Sequence, residues 1–264
     1  MRYVRIFLLY FEHVYQYRSR IFVWFLIALL SPLLFLLYWK GAYGTSGEIF
    51  LGWTFSRVSL YYFLFIIAGG LLVVHVDEDA QGDIQEGNLS TYLVKPFSYF
   101  WIKFCSELPW RLIQGLFGLI AFLVLIVTYG RHIQIQISID RILPILLIII
   151  LGYMVSFLFK MIILLCALWT TDISGLRQLV DIILFIFAGF VVPLHFLPSW
   201  LYRFALFLPF PYIIYVPIQA IIGDMSLFEL MKSIGIQIAW IGILFMVYRY
   251  LWFVGMKKYS AVGG

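Results

Sequence analysis

Residues 142–169 read ILPILLIIILGYMVSFLFKMIILLCALW, an apolar run that a single charged residue, Lys160, interrupts. A helix needs roughly 20 largely apolar residues to cross the hydrocarbon core of a bilayer. This run is long enough to do so, and it therefore predicts a membrane-spanning helix.

The rest of the chain follows the same pattern. Of the 264 residues, 64% are apolar and only 12% are charged, whereas soluble domains carry about 25% charged residues. We therefore expect an all-α, polytopic membrane protein with six transmembrane helices. The spans are predicted at about residues 21–38, 58–76, 112–129, 142–169, 179–194 and 234–254.

The longest polar stretch outside these runs is residues 77–111, which leaves no room for a separate soluble domain. We expect residues 1–264 to form a single transmembrane domain. The net charge of +5 is a sum over the flanks of the spans, so it predicts orientation and no binding to nucleic acid.

Lys and Arg are enriched on the cytoplasmic side of membrane proteins. With six spans, ten of these residues fall on the side of the termini and six on the other side. This bias predicts a multi-pass protein of the cell inner (plasma) membrane, with both termini and the polar stretch 77–111 in the cytoplasm.

Two flanking segments predict accessory helices. Residues 1–20 alternate arginines with apolar side chains, which favours a helix lying in the membrane interface; a cytoplasmic extension of the first span is the alternative. Prolines divide residues 193–217 into pieces too short to cross. This pattern favours short re-entrant helices on the outer side, involving Pro193, Pro198, Trp200 and Pro209, over a flat surface loop.

Two charges lie inside predicted spans, Lys160 in the fourth and Asp181 in the fifth. The two helices are antiparallel neighbours, so the charges could meet as an ion pair. Lys160 could instead reach the inner surface with its long side chain, or the pair could relay protons or substrate.

No phosphate-binding loop of the form GxxxxGK[ST] occurs in the sequence. We therefore expect the chain to be no enzyme and to hydrolyse no nucleotide by itself. The four histidines are scattered singly, and no metal or cofactor site is expected. Ser46, in the sequence Gly44-Thr45-Ser46-Gly47, resembles the nucleophile motif of rhomboid proteases, but no histidine lies in a later span at matching depth.

The small residues Ala68, Gly69 and Gly70 would let another helix approach the second span closely. The partner helix could belong to the same chain or to a second subunit.

Five acids crowd residues 77–86, and Leu89, Tyr92 and Leu93 follow with helical spacing. The acids would lie at the N-terminus of a short helix, where the helix dipole favours negative charge. Such a helix could contact a soluble partner, with the acids tuning the choice of partner; a solvated loop between two spans is the alternative.

Two blocks of residues resemble the permease subunits of type 2 ATP-binding-cassette (ABC) transporters, specifically a compact six-span group of exporters. The first is Gly87-x-Leu89-x-x-x-Leu93-x-Lys95-Pro96 with Phe100-Trp101. The second is Gly189-Phe190-x-x-Pro193-Leu194-x-Phe196-x-Pro198-x-Trp200-Leu201, followed by Leu208-Pro209-Phe210 and Pro217. The similarity covers nearly the whole chain.

The resemblance implies that ABC ATPase subunits, which carry ATP and Mg, dock on the cytoplasmic face, and that a second permease subunit, identical or related, completes the path. A cytoplasmic coupling helix at about residues 85–94 would contact the ATPase through Glu86, Gly87, Leu89, Tyr92 and Leu93. Tyr61, Phe65 and Phe185 would lie at the subunit interface or path. An ion-coupled secondary transporter using Lys160 and Asp181 is the alternative function.

Overall fold

The computed structural model describes residues 2–44, 52–129, 138–170, 172–223 and 225–259. No strand occurs among them, which confirms the all-α prediction. Ser46 and His132 lie outside the described residues. The helices are α1 (Arg2–Gln16), α2 (Arg18–Tyr43), α3 (Phe55–Leu72), α4 (Val76–Asp79), α5 (Gln81–Gln85), α6 (Leu89–Leu93), α7 (Tyr99–Tyr129), α8 (Ile139–Leu165), α9 (Ser174–Phe187), α10 (Ser199–Leu206), α11 (Tyr215–Ile222) and α12 (Leu227–Met256).

Within the described ranges, five helical stretches are long and apolar enough to cross a membrane: Ser19–Tyr43, Phe55–Gln85, Tyr99–Thr128, Ile139–Leu168 and Leu227–Met256. Each overlaps one of the predicted spans. The remaining predicted span, 179–194, corresponds to α9, which has only 14 residues. At 1.5 Å per residue α9 is about 21 Å long, less than the roughly 30 Å of the hydrocarbon core.

The chain turns after α9 because of contacts made by α3. Gly189 adopts a φ of 86°, a conformation that favours glycine. The Tyr61 hydroxyl donates a 2.7 Å hydrogen bond to the Gly189 carbonyl, and the Tyr62 hydroxyl donates one of 2.7 Å to the Val191 carbonyl. The predicted helical span to residue 194 is therefore wrong in its C-terminal half.

Long-range contacts define two ends of the helical bundle. At the acidic end, residues 73–98 meet residues 166–177 and the C-terminus, for example through Gln81 and Asp172. At the proline-rich end, residues 52–57 meet residues 188–226, where the Trp53 and His195 rings lie 4.0 Å apart. Residues 188–223 contain the short helices α10 and α11, and their re-entry from the outer side of the membrane stays a prediction.

Helix α7 is longer than predicted. It begins at Tyr99, so residues 99–111 extend the helix predicted at 112–129 and do not form part of a solvated polar loop. Lys103, Glu107 and Arg111 recur every four residues and are all buried. One face of the first half of α7 is therefore polar and turned into the protein.

Helices α3 and α7 cross at their glycines. A Cβ atom added at Gly118 would lie 2.8 Å from the Ile66 carbonyl oxygen, and one at Gly70 would lie 2.9 Å from the Gln114 carbonyl oxygen. Such close approach of two backbones is possible only without side chains between them. Gly70, one of the three small residues of the second span, thus packs against a helix of the same chain, whereas a Cβ atom at Gly69 would meet only Phe65 of its own helix.

Helix α12 is tied to α8 by a buried amide. Gln237 Nε2 donates hydrogen bonds of 3.0 Å to the carbonyls of Ile148 and Tyr212. A polar side chain at this depth needs such partners because lipid offers none. Gln237 therefore joins α8, α12 and the turn at Phe210–Tyr212.

Gly118→Ala should destabilise the protein by about 1–3 kcal/mol, because the new methyl group overlaps the backbone of α3 and forces the helices apart. Thermal unfolding of the detergent-solubilised chain measures the effect. Gly242→Ala is the matched control, since nothing lies within 4 Å of a Cβ at that helical position. Equal unfolding temperatures for the two variants would contradict the close crossing.

Candidate functional site at the acidic end

The candidate site begins where the second span stops being helical. Residues 73–75 leave the helix between α3 and α4, and their free backbone groups need partners. Three side chains supply them: Arg111 Nη1 donates to the Val73 carbonyl (2.7 Å), Ser156 Oγ accepts from the Val74 amide (3.3 Å), and Glu107 Oε1 accepts from the His75 amide (3.0 Å).

The two charged members of this group also bind each other. Arg111 Nε lies 2.8 Å from Glu107 Oε1, and both side chains are buried. Arg111 Nη1 donates a further hydrogen bond of 3.0 Å to Gln114 Oε1. The polar face of α7 that is turned into the protein thus supplies hydrogen-bond partners for the non-helical backbone at residues 73–75.

A second cluster of charges lies directly after this break. Lys160 Nζ is 2.9 Å from Asp77 Oδ2 and 2.7 Å from Asp181 Oδ1. The Lys160 and Asp77 side chains are 3% and 0% exposed, whereas that of Asp181 is 53% exposed. One ammonium of α8 therefore joins α4 to α9.

The sequence predicted that Lys160 and Asp181 could meet, and the structure brings them together. It also adds Asp77, which the sequence analysis grouped with the acids expected to tune the choice of partner. One feature of the sequence could have indicated the burial of Asp77. It is the first acid after a long apolar run, and an acid at such a position can turn back into the bundle.

Helix α5 is held to α7 by a third set of polar contacts. Lys103 Nζ pairs with Asp83 Oδ2, and the Tyr99 hydroxyl donates a 2.9 Å hydrogen bond to the same carboxylate oxygen. Lys103 Nζ also lies 5.1 Å from the centre of the Tyr92 ring, within the range of a cation–π contact. This cluster connects α5, α6 and the start of α7.

The acids of residues 77–86 therefore differ in their surroundings. Asp77 and Asp83 bind lysines inside the protein, and Glu78 and Glu86 are exposed. The prediction that the whole run faces a partner is wrong for Asp77, because its side chain has no exposed surface. Glu86 accepts a 3.1 Å hydrogen bond from Asn88 Nδ2 and stays accessible.

The predicted docking residues also divide between surface and interior. Leu89 is fully buried, so its predicted contact with an ATPase is wrong, and it anchors α6 to the bundle instead. Leu93 is 43% exposed and Val94, which the sequence prediction missed, is 84% exposed. Tyr92 is half-buried. The Gly87 carbonyl accepts a 2.9 Å hydrogen bond from the Tyr259 hydroxyl.

The turn before α9 is attached to the same region. Asp172 Oδ1 accepts hydrogen bonds from Gln81 Nε2 (3.2 Å) and from the Ser174 amide (2.8 Å). Arg177 Nη1 donates a 3.3 Å hydrogen bond to Gln81 Oε1. The hydrogen bonds from Ser174 lower the pKa of Asp172, which keeps the carboxylate charged and available to α5.

The residues predicted at a subunit interface or path occupy different environments. Tyr61 is fully buried and bonded to Gly189, and Phe65 is buried with its ring 4.7 Å from that of Phe190. These two residues contact the turn after α9 within one chain, and their place at the subunit interface or path stays a prediction. Phe185 is 37% exposed on α9 and is accessible to a second subunit.

No group of three or more His, Cys, Asp or Glu side chains placed to hold a metal ion occurs among the described residues. The polar side chains of the acidic end form ion pairs and hydrogen bonds with one another. Leu93 and Val94 form an exposed apolar edge beside them.

Asp77→Asn should destabilise the protein by about 3–5 kcal/mol, because it leaves the buried Lys160 ammonium short of its buried partner. Asp181→Asn should cost about 1 kcal/mol or less, since that carboxylate is half in solvent. Chemical unfolding in mixed micelles measures both variants. A larger loss for Asp181→Asn than for Asp77→Asn would contradict the central place of Asp77.

One family matches most of the sequence. The family model described as ABC-2 family transporter protein matches residues 25–263, a range that begins within α2 and includes all the later helices and the whole acidic end. No curated protein and no solved structure matches the chain. The family match spans nearly the whole sequence, and the chain therefore belongs to the ABC-2 family of transporters as a multi-pass membrane permease.

Proposed function

We propose that the chain is the membrane subunit of an ATP-driven ABC exporter, and that a separate ATPase subunit docks on the edge formed by residues 85–96. The observation that carries the proposal is the exposed pair Leu93 and Val94 on a segment whose neighbours are buried in ion pairs. An exposed apolar edge on a firmly anchored segment suits a docking contact.

The contacts within the segment supply a route for force. A displacement of residues 85–96 would pass through Asp83 and Lys103 to α7. It would also pass through Asp77 and Lys160 to α8 and α9. Because these contacts are short and mostly buried, a push on the docking edge would move several spans together.

The proposal includes the partners and orientation that the resemblance implies. ATP and Mg bind the ATPase, and this chain hydrolyses neither ATP nor another nucleotide. A second permease subunit, identical or related, completes the path, with the exposed face of α9 around Phe185 as its contact. The acidic end and both termini face the cytoplasm of a plasma (inner) membrane protein, α1 lies in the interface, and residues 193–217 enter the membrane from outside.

An ion-coupled carrier that works through Lys160 and Asp181 is the competing function. The family match does not favour it. Lys160 is also held between two carboxylates, and this arrangement is explained by a structural link between α4, α8 and α9.

A photo-cross-linking amino acid at position 94 should capture an ABC ATPase in cells that express the chain. The same substitution at position 127 is the control, since Val127 is also a valine, 83% exposed, on the distal part of α7. Mass spectrometry identifies the captured protein. Capture at both positions, or at neither, would contradict docking on residues 85–96.

Leu93→Ala with Val94→Ala should weaken co-purification of that ATPase about tenfold without changing the unfolding temperature, because exposed anchors contribute about 1–2 kcal/mol to an interface. Leu89→Ala should do the reverse. It removes a buried side chain at a cost of about 2–5 kcal/mol in stability. If Leu89→Ala weakened co-purification while the unfolding temperature stayed constant, Leu89 would be a docking residue after all.

The purified chain should show no ATPase activity, and its complex with the captured ATPase should hydrolyse ATP. Transport by this complex in vesicles should be driven by ATP and should not change when a protonophore is added. Vesicle assays with and without the protonophore measure this. Loss of activity on collapse of the proton gradient would favour the ion-coupled alternative.

A further inference from the structure

A groove of about 990 Å³ lies at the proline-rich end, between α10, α11 and the first half of α12. We call it the α12 groove and define its wall by residues 202–207, 215–219 and 229–243. It lies at the opposite end of the bundle from the docking edge, so the ATPase contact does not account for it.

The mouth of the groove is positively charged. Arg203 of α10 and Lys232 of α12 both line it, and neither forms an ion pair within the described part of the chain. Among the described lining residues Glu229 is the one acid, and its Oε2 accepts hydrogen bonds of 2.7 and 2.8 Å from the Ser226 amide and hydroxyl, which keep the carboxylate charged. Two cations therefore face one carboxylate, and the described part of the mouth keeps a net positive charge that can attract an anion.

A buried amide points to the same ligand. Gln219 lines the groove, is 7% exposed, and its Nε2 has no hydrogen-bond partner. A buried donor without a partner costs about 1–3 kcal/mol. Both ring nitrogens of His195, another lining residue, are likewise buried without partners. These groups can bind the oxygens of a polar headgroup.

The wall beyond the mouth is apolar and runs along α12. Ile236, Trp240 and Ile243 follow Lys232 at spacings of four, four and three residues, which places them on one face of α12. From Lys232 to Ile243 the helix rises about 16 Å at 1.5 Å per residue. Half the hydrocarbon core of a bilayer is about 15 Å, so the apolar wall is as long as one leaflet is deep.

We infer that the α12 groove binds an anionic amphiphile, with its phosphate-type headgroup at Arg203, Lys232 and Gln219 and an acyl chain along Ile236, Trp240 and Ile243. The cations at the mouth and the apolar side chains along α12 together decide the class of ligand. A free anion would leave the apolar wall empty, and a lipid without net charge would leave the excess positive charge of Arg203 and Lys232 over Glu229 unbalanced. The inference is independent of ATP coupling and holds even if no ATPase docks on this chain.

The test is a binding titration of the full chain in detergent with three probes: phosphatidylglycerol, phosphatidylcholine with the same acyl chains, and inorganic phosphate. Phosphatidylglycerol should bind tightest, and phosphate should neither bind nor compete at millimolar concentration. Tight binding of phosphate alone would overturn the amphiphile, and equal binding of the two lipids would overturn the anionic headgroup.

Variants locate the site. Arg203→Gln and Lys232→Gln should each weaken phosphatidylglycerol binding about fivefold, and together about 25-fold, as expected for single cations near a membrane surface. Lys40→Gln is the control, because Lys40 is an exposed cation of α2 outside the groove and its loss should change nothing. An equal effect of Lys40→Gln would show non-specific attraction and overturn the site.

Discussion

A buried ammonium between two carboxylates organises the acidic end of this protein. Lys160 lies under the surface of the bundle, and the cost of removing its charge from water is offset only because Asp77 and Asp181 both contact it. Since the three residues belong to α8, α4 and α9, the pairing fixes where the second span ends and where the fifth predicted span begins. The broken backbone at residues 73–75 directly precedes this cluster in the chain and has its own partners, Arg111, Glu107 and Ser156.

Much of the architecture follows directly from the distribution of apolar residues. Five of the six runs long enough to cross a bilayer are long helices here, because hydropathy reports the one requirement that every such helix shares. The prolines after Gly189 divide the chain into short helices for an equally local reason. The contact between Lys160 and Asp181 could also be predicted from the sequence, since two antiparallel helices joined by a short turn bring residues at equal depth close together.

The sequence could not show which polar residues turn inward. Lys103, Glu107 and Arg111 resemble a solvated stretch in composition, and their burial depends on Asp83 and on the free backbone at residues 73–75. Leu89 and Leu93 share one pattern, yet packing buries the first and leaves the second exposed. The early end of α9 depends on hydroxyl groups of Tyr61 and Tyr62, which lie more than 120 residues away in sequence. Tertiary contacts of this kind leave no local signal.

The chain belongs to the ABC-2 family, and the central claim is that Lys160 joins residues 76–96, which contain the proposed docking edge, and α9 into one mechanical unit. Amide hydrogen exchange of the Asp77→Asn variant tests this claim most directly. The account predicts that exchange becomes faster in residues 76–96 and in α9 together, relative to the unchanged chain, and that the increase in both is larger than in α12. Faster exchange confined to residues 76–80, with α9 as protected as before, would contradict it.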